Sequence, residues 1–340
     1  MSKKLFDYNN IASIRIEGPT SLLERIARNF EGEMSEVSRV IPDCQIKINE
    51  SIAPVEIEKD KRYEYLTVRN IGSSDKPSIE YIRYNTPVRV IHYKSDQEYF
   101  VNTNVRLDEA SGLICLRNYL SNHPQLSSLP LLHASLLSLN GRGILIAGNS
   151  REGKTTLAVY LLQKQKADFV SDENVVLDHY NGAVRGLYIP RTPRVRFSTI
   201  ANSSLSKVLD NIELADATQY TDQDAIDRII STKSFHVDAG LAFSRRSFCN
   251  LLEVGSSESE LINTVIFPKY NECRFYMRNI PFSQGMEQLS RSGLKRKSFI
   301  DPKELEETNI DLSSINFKNV EFIEVGFSDL KCLIKGGFRL

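Results

Sequence analysis

Cysteine is scarce and dispersed in this sequence. The five residues Cys44, Cys115, Cys249, Cys273 and Cys332 are odd in number and none falls in a CxxC or zinc-ligand spacing. That pattern speaks against a disulfide framework and a zinc site, and fits a reduced, cytoplasmic setting. No stretch of about 18 apolar residues occurs, and Met1-Ser2-Lys3-Lys4-Leu5 runs into polar residues rather than an apolar signal core. The chain is therefore expected to be neither secreted nor membrane-spanning by its own signals. An excess of one charge sign is also missing, since Lys+Arg and Asp+Glu number 43 each. No global field draws the protein to nucleic acid or to an anionic membrane, so neither is an expected partner. The longest basic run, Lys295-Arg296-Lys297, is short and reads as a solvated helix or loop. Internal repeats and low-complexity tracts are absent.

What is present is an ordinary globular composition, 41% hydrophobic and 25% charged, over 340 residues. That length exceeds what most single cores support, so two domains are expected. The fold class expected is α/β: an N-terminal mixed α+β domain over residues 1–122, with a substrate-selecting or regulatory role, then a P-loop domain over residues 123–340. After Gly18-Pro19, Thr20 or Ser21 can cap a helix whose Leu22, Leu23, Ile26, Ala27 and Phe30 share one face. Strands are predicted at Gln45–Ile48, Glu64–Val68, Ser78–Tyr84, Val88–Tyr93 and Glu98–Asn102, several rich in Val, Ile and Tyr, with a second helix over Asp108–Leu120. No motif in this half carries chemistry. The polar segment from Ser121 to Ser128, with its turn formers and Pro124, is the predicted linker.

Beyond it, Leu131–Leu139 and Gly143–Ala147 read as strands joined by Asn140-Gly141, a dipeptide that favours a tight hairpin turn. The second strand leads directly into Gly148-Asn149-Ser150-Arg151-Glu152-Gly153-Lys154-Thr155, and Thr155–Gln165 carries Leu157, Ala158, Leu161 and Leu162 at helical spacing. Asp168–Ser171 resumes a strand. Strand, glycine loop, helix, strand is the context that a phosphate-binding loop requires. A triphosphate must exchange its hydration for several donors at once. The Gly-x-x-x-x-Gly-Lys-Thr spacing lets backbone N–H groups wrap the anion, with Gly148 and Gly153 permitting close approach, and the following helix points its N-terminus at the phosphates. Lys154 is expected to reach the β- and γ-phosphate oxygens and the Thr155 hydroxyl to ligate Mg²⁺, with Thr156 a second hydroxyl. The loop residues Gly148 to Thr156 are the predicted nucleotide contacts, and ATP with Mg²⁺ the predicted cofactors.

The stretch Leu132-His133-Ala134-Ser135, then Gly143 to Ser150, then Gly153-Lys154-Thr155-Thr156-Leu157-Ala158, ending in Phe169-Val170-Ser171-Asp172-Glu173, resembles the catalytic domain of bacterial HPr kinase/phosphorylase. The match is dense over about Leu131 to Asp178 and thinner to Phe197, a minority of the chain. The resemblance implies a mixed-sheet fold shared with phosphoenolpyruvate carboxykinases. It implies that His133, on the strand before the loop, faces the active site, where imidazole can orient a phosphate oxygen or the acceptor. It further implies that Asp172 is the base accepting the acceptor hydroxyl's proton, and that Glu173, in place of a second aspartate, joins Asp172 and Thr155 around the metal. Similar kinases carry a proline-plus-basic segment where this chain has Ile189-Pro190-Arg191-Thr192-Pro193-Arg194-Val195-Arg196-Phe197. An arginine there, Arg191 foremost, can stabilise the transferring phosphoryl group or clamp an anionic substrate; an edge strand with a solvated basic face is the other reading. Leu261–Lys269 resembles the late core strand of these kinases, and Lys269 is either at the site or on the surface.

Asn149, Arg151 and Glu152 stand where the HPr enzymes have an aspartate and a small glycine-rich turn, and their downstream phosphorolysis signature is not found. These departures speak against HPr as substrate and against the reverse reaction. The function expected is transfer of the γ-phosphoryl group of ATP to a hydroxyl-bearing acceptor, whether small metabolite, peptide or protein. The alternative is a nucleotide-binding regulatory protein without transfer. An ATPase or GTPase switch is the third reading, and the guanine-specific Asn/Thr-Lys-x-Asp motif it would need for GTP is not seen. Self-association into a homo-oligomer is left open.

Overall fold

The computed structural model describes residues 2–8, 12–28, 35–36, 42–50, 66–70, 78–83, 88–93, 98–103, 116, 119–120, 123–189, 191–211, 231–232, 240–270, 274–296 and 305–340. It divides into two compact units, one of residues 1–128 with 296–305, the other of residues 129–295 with 306–340.

In the first unit eight strands form one sheet: β1 (Ser2–Tyr8), β2 (Ala12–Gly18), β3 (Ser35–Glu36), β4 (Cys44–Glu50), β5 (Leu66–Asn70), β6 (Ser78–Arg83), β7 (Val88–Tyr93) and β8 (Glu98–Thr103). Their order is β3-β1-β2-β4-β8-β7-β6-β5. Strands β5 to β8 make an antiparallel meander, whereas β4 runs parallel to both β2 and β8. Period-two alternation explains β2: Ala12, Ile14 and Ile16 are buried while the residues between them are less so. Helix Thr20–Ala27 lies against β1 and β2 and buries Leu22, Leu23 and Ile26, the face that its spacing predicts. Phe30, Glu64, Tyr84, Ser121, Asn122, Pro190 and most of the predicted helix Asp108–Leu120 lie outside the described residues; Leu116, Tyr119 and Leu120 are helical and buried. The segment read as a linker carries a short helix, Pro124–Ser127, because the His123 ring accepts from Gln125 N–H and proline suits a first helical position.

The second unit holds β9 (Leu131–Leu132), β10 (Ala134–Leu139), β11 (Arg142–Ala147), β12 (Asp168–Ser171), β13 (Val175–Tyr180), β14 (Ala183–Tyr188), β15 (Arg194–Arg196), β16 (Gly240–Ala242), β17 (Ser259–Tyr270), β18 (Tyr276–Asn279), β19 (Gly293–Arg296), β20 (Leu305–Thr308) and β21 (Glu321–Phe327). Eleven of these form one mixed sheet in the order β12-β10-β11-β17-β14-β13-β9-β19-β20, with β21 on β17 and β18 on β21; β15 and β16 pair separately. The protein is thus mixed α/β with a large mixed sheet. Strand β17 organises it. Running parallel to β11 and to β21 and antiparallel to β14, it is bonded on both edges, and its Ile262 and Thr264 to Pro268 are buried.

The predicted strand Leu131–Leu139 breaks in two at His133. Leu131 and Leu132 pair with β13, while Ala134 onward pairs with β11 and β12, so the chain must change partners between them. Asn140 and Gly141 both take positive φ, 53° and 72°, as a hairpin of the primed turn type requires. Side chains leaving alternate sides of the sheet build two cores. One face carries Leu137, Ile144, Ile146 and Phe169 under helices Lys154–Gln165 and Arg245–Leu252; the other carries Leu136, Leu145 and Val265 under helix Phe282–Arg291. Leu157, Leu161 and Leu162 of the first helix are fully buried, which stabilises its seat by about 1.5–3 kcal/mol each.

Candidate functional site

Strand β11 is apolar from Gly143 to Ala147 and buried on both faces, so the chain emerges from the sheet at Gly148 at a fixed point. The loop then needs two left-handed residues, Arg151 at φ 71° and Gly153 at φ 94°, before helix Lys154–Gln165 begins with Gly153 as its N-cap. At Gly153 a Cβ would lie 2.8 Å from Phe327 Cζ and 3.1 Å from Tyr270 Cδ2. Dihedral angle and crowding together leave glycine as the residue that fits.

The loop satisfies much of its own polarity. Lys154, 7% exposed, donates to the carbonyls of Gly148 and Asn149, both at 2.8 Å. The Glu152 carboxylate turns back to accept from Asn149 N at 2.8 Å and Asn149 Nδ2 at 3.2 Å, with Lys269 Nζ at 3.7 Å. Arg151 instead lines a cavity of about 330 Å³ that the loop opens onto. Ser150, Gly153, Lys154, Thr155, Thr156, His133 and Glu173 line it too, with Arg194, Arg196, Thr199 and Tyr270. Of the predicted loop contacts, Gly148, Asn149 and Glu152 are not on the cavity wall.

After β12 the chain turns sharply through Ser171-Asp172-Glu173-Asn174. Asn174 N bonds Asp172 O at 2.9 Å, Ser171 Oγ donates to Asn174 O at 2.6 Å, and Glu173 takes φ 66°. A left-handed non-glycine residue costs about 1–2 kcal/mol, and such strain is concentrated where function fixes a side chain. Here the two adjacent carboxylates meet different partners. Asp172, 5% exposed, accepts from Ser135 Oγ at 2.5 Å through Oδ1, while Oδ2 lies 3.5 Å from Thr155 Oγ1. Burial, and then the charge of Glu173, push its carboxyl up to about 6, against the opposing pull of Ser135, Lys154 and Arg191. Glu173 faces the cavity and pairs with Arg191 at 2.5 Å. Burial pushes its carboxyl up, but Arg191, His133, Arg194 and Lys154 together outweigh that and hold it below the usual range.

Arg191 does not line the cavity. Its guanidinium spans Glu173 and Asn174 Oδ1, the latter at 3.3 Å, and its backbone N–H donates to Tyr188 Oη at 3.3 Å. Of the arginines in that proline-containing segment, Arg194 and Arg196 reach the cavity. Their alternation with buried Val195 was a readable strand signal. Ser135, Thr199 and Tyr270 were not predicted at the site: Leu136 of β10 registers with Ser171 of β12, placing Ser135 beside Asp172, while Thr199 and Tyr270 line the cavity. Asp178 and Arg185 form their own pair across the β13–β14 hairpin.

No family model matches the chain, and no curated protein does. Among solved structures the chain is similar to the Hpr(Ser) kinase/phosphatase from Coxiella burnetii. That similarity has 10% identity and a TM-score of 0.28 over 61% of this chain and 91% of that one. A likeness at this level is a distant one. No helix among the described residues is long and apolar enough to cross a membrane.

Proposed function

We propose that the protein is an ATP-dependent kinase that transfers the γ-phosphoryl group to a hydroxyl acceptor. The observation that carries this reading is the buried carboxylate of Asp172, held by Ser135 and set against the Thr155 hydroxyl at the end of the phosphate loop. A binding protein needs the loop; it does not need a carboxylate with a raised proton affinity built against it. ATP would lie with its phosphates along the loop and the N-terminus of helix Lys154–Gln165, and Lys154 would exchange its loop carbonyls for phosphate oxygens. The Thr155 hydroxyl is a hard donor that fits Mg²⁺. When bound, that ion neutralises phosphate charge.

The chain's own residues supply the rest. Asp172, with its carboxyl near 6, is ionised at neutral pH and still basic enough to take a hydroxyl proton. Glu173 is the weaker base because the charges around it hold its proton affinity down. It serves better as an orienting carboxylate on the cavity wall, fixed by Arg191. His133, at the strand break, contributes positive charge or a donor to the same wall. Substitution Asp172→Asn is expected to reduce transfer of label from γ-labelled ATP about 10²–10⁴-fold with nucleotide binding retained. Unchanged transfer would remove Asp172 from the role. ATP binding with no labelled acceptor in a cell extract would favour the regulatory reading.

A further inference from the structure

The cavity beside the phosphate loop is lined by cationic side chains from two different elements. Among the described residues its wall has Arg151, Lys154, Arg194 and Arg196, against the carboxylate of Glu173, which Arg191 already pairs. Lys154, the loop N–H groups and the helix N-terminus suffice to meet a phosphate chain. Arg194 and Arg196 belong to a different element. They stand two residues apart on β15 with Val195 fully buried between them, so both side chains leave the same face of the strand.

That strand is held firmly. Arg194 registers with Ala242 and Arg196 with Gly240 on β16, and the strands approach so closely that a Cβ at Gly240 would lie 2.2 Å from Val195 O. Phe197, which follows, is fully buried, and the hydroxyls of Thr199 and Thr156 meet at 2.9 Å, tying the segment to the loop helix. Two guanidinium groups on a rigid strand are suited to a carboxylate or phosphate, whose oxygens accept their paired donors.

We propose that Arg194 and Arg196 form an oxyanion subsite for the phosphoryl acceptor, which is therefore a hydroxyl compound that also carries a carboxylate or a phosphate. This rests on the kinase reading of the same site. The neutral Thr156 and Thr199 side chains line the same cavity as the arginines.

The test uses the full chain saturated with Mg²⁺ and a non-hydrolysable ATP analogue. Glycerate, glycerol 3-phosphate, glycerol and inorganic phosphate are titrated in turn by calorimetry. The first three share a hydroxyl skeleton and differ in the charged group, so they separate a carboxylate site from a phosphate site. At least one anion should bind with one-to-one stoichiometry and at least tenfold more tightly than glycerol. The Arg194→Gln/Arg196→Gln double variant should lose that preference while its affinity for the analogue stays within twofold. Equal binding of glycerol, no anion bound to the analogue-loaded wild type, or an equal loss of nucleotide affinity in the variant would each overturn the proposal. The last outcome would give the arginines to the triphosphate. Label transfer from γ-labelled ATP separates the two readings: anion binding without transfer to any acceptor keeps the subsite and removes the kinase. Asp172-dependent transfer to a neutral alcohol does the reverse.

Discussion

At Asp172 the balance of burial, neighbouring charge and one hydrogen bond sets a proton affinity that kinetics can read. Its carboxyl is raised from 3.8 to about 6, so kcat/KM for transfer should climb with pH and level off above an inflection near 6. Two substitutions should move that inflection in opposite directions. Ser135→Ala removes a bond that favours the ionised form and shifts it upward; Glu173→Gln removes a repelling charge and shifts it downward. A pH–rate profile for each variant checks the pair. The same imbalance acts on stability. A carboxyl that holds its proton more tightly when folded stabilises the chain fully below pH 3.8, and that contribution is lost as pH rises through about 6. Urea unfolding of Asp172→Asn should therefore show a weaker decline over that interval than wild type. Sequence reasoning could bring Asp172 and Glu173 to attention as adjacent acids after a strand. The family resemblance gave them separate roles, but their contacts with Ser135 and Arg191 were not legible, because these are brought to them by strand pairing and by the turn at Glu173.

Elements explain why the loop is shaped before any ligand arrives. Gly153 sits against Phe327 and Tyr270, whose rings meet edge to face at 5.7 Å. Phe327→Ala should open a cavity beneath the loop and destabilise the chain by about 3–5 kcal/mol. Gly153→Ala should cost about 1–2 kcal/mol in backbone strain alone and in addition displace Phe327. Denaturant melts with parallel nucleotide titrations check both, and affinity should fall in each variant. The strand–loop–helix unit around Gly148 was legible because its signals are local: an apolar strand, a glycine spacing and apolar residues at helical spacing. The break at His133 was not, since the Leu-rich run from Leu131 to Leu139 contains no glycine or proline to mark the exchange of neighbours that splits it. Similarly, the sequence reading put Arg191 foremost among the three arginines, whereas Arg194 and Arg196 are the ones on the cavity wall. Pairing of β15 with β16 decides which side chains face the cavity, and β16 lies more than forty residues later in the chain.

For the whole molecule, the described residues that line the cavity all belong to the unit of residues 129–295 and 306–340. A fragment beginning at residue 123 should therefore bind the ATP analogue with an affinity within a fewfold of the full chain. Calorimetry on both proteins checks this, and a large loss would show that the first unit supports the nucleotide site. Composition and length made two units a reasonable expectation, and strands β4 to β8 of the first unit were readable, several from their Val, Ile and Tyr content, whereas β1, β2 and β3 were not predicted. The return of residues 296–305 to that unit was not, because nothing local marks it. The contact of Gly153 with Phe327 carries a consequence in time. Ribosomes deliver the phosphate loop roughly 170 residues before the ring that props it. A nascent chain should thus display the complete loop motif for many seconds, at about 5–20 residues per second, while unable to retain nucleotide. Competence would arrive late in synthesis, as a property of the finished sheet rather than of the motif.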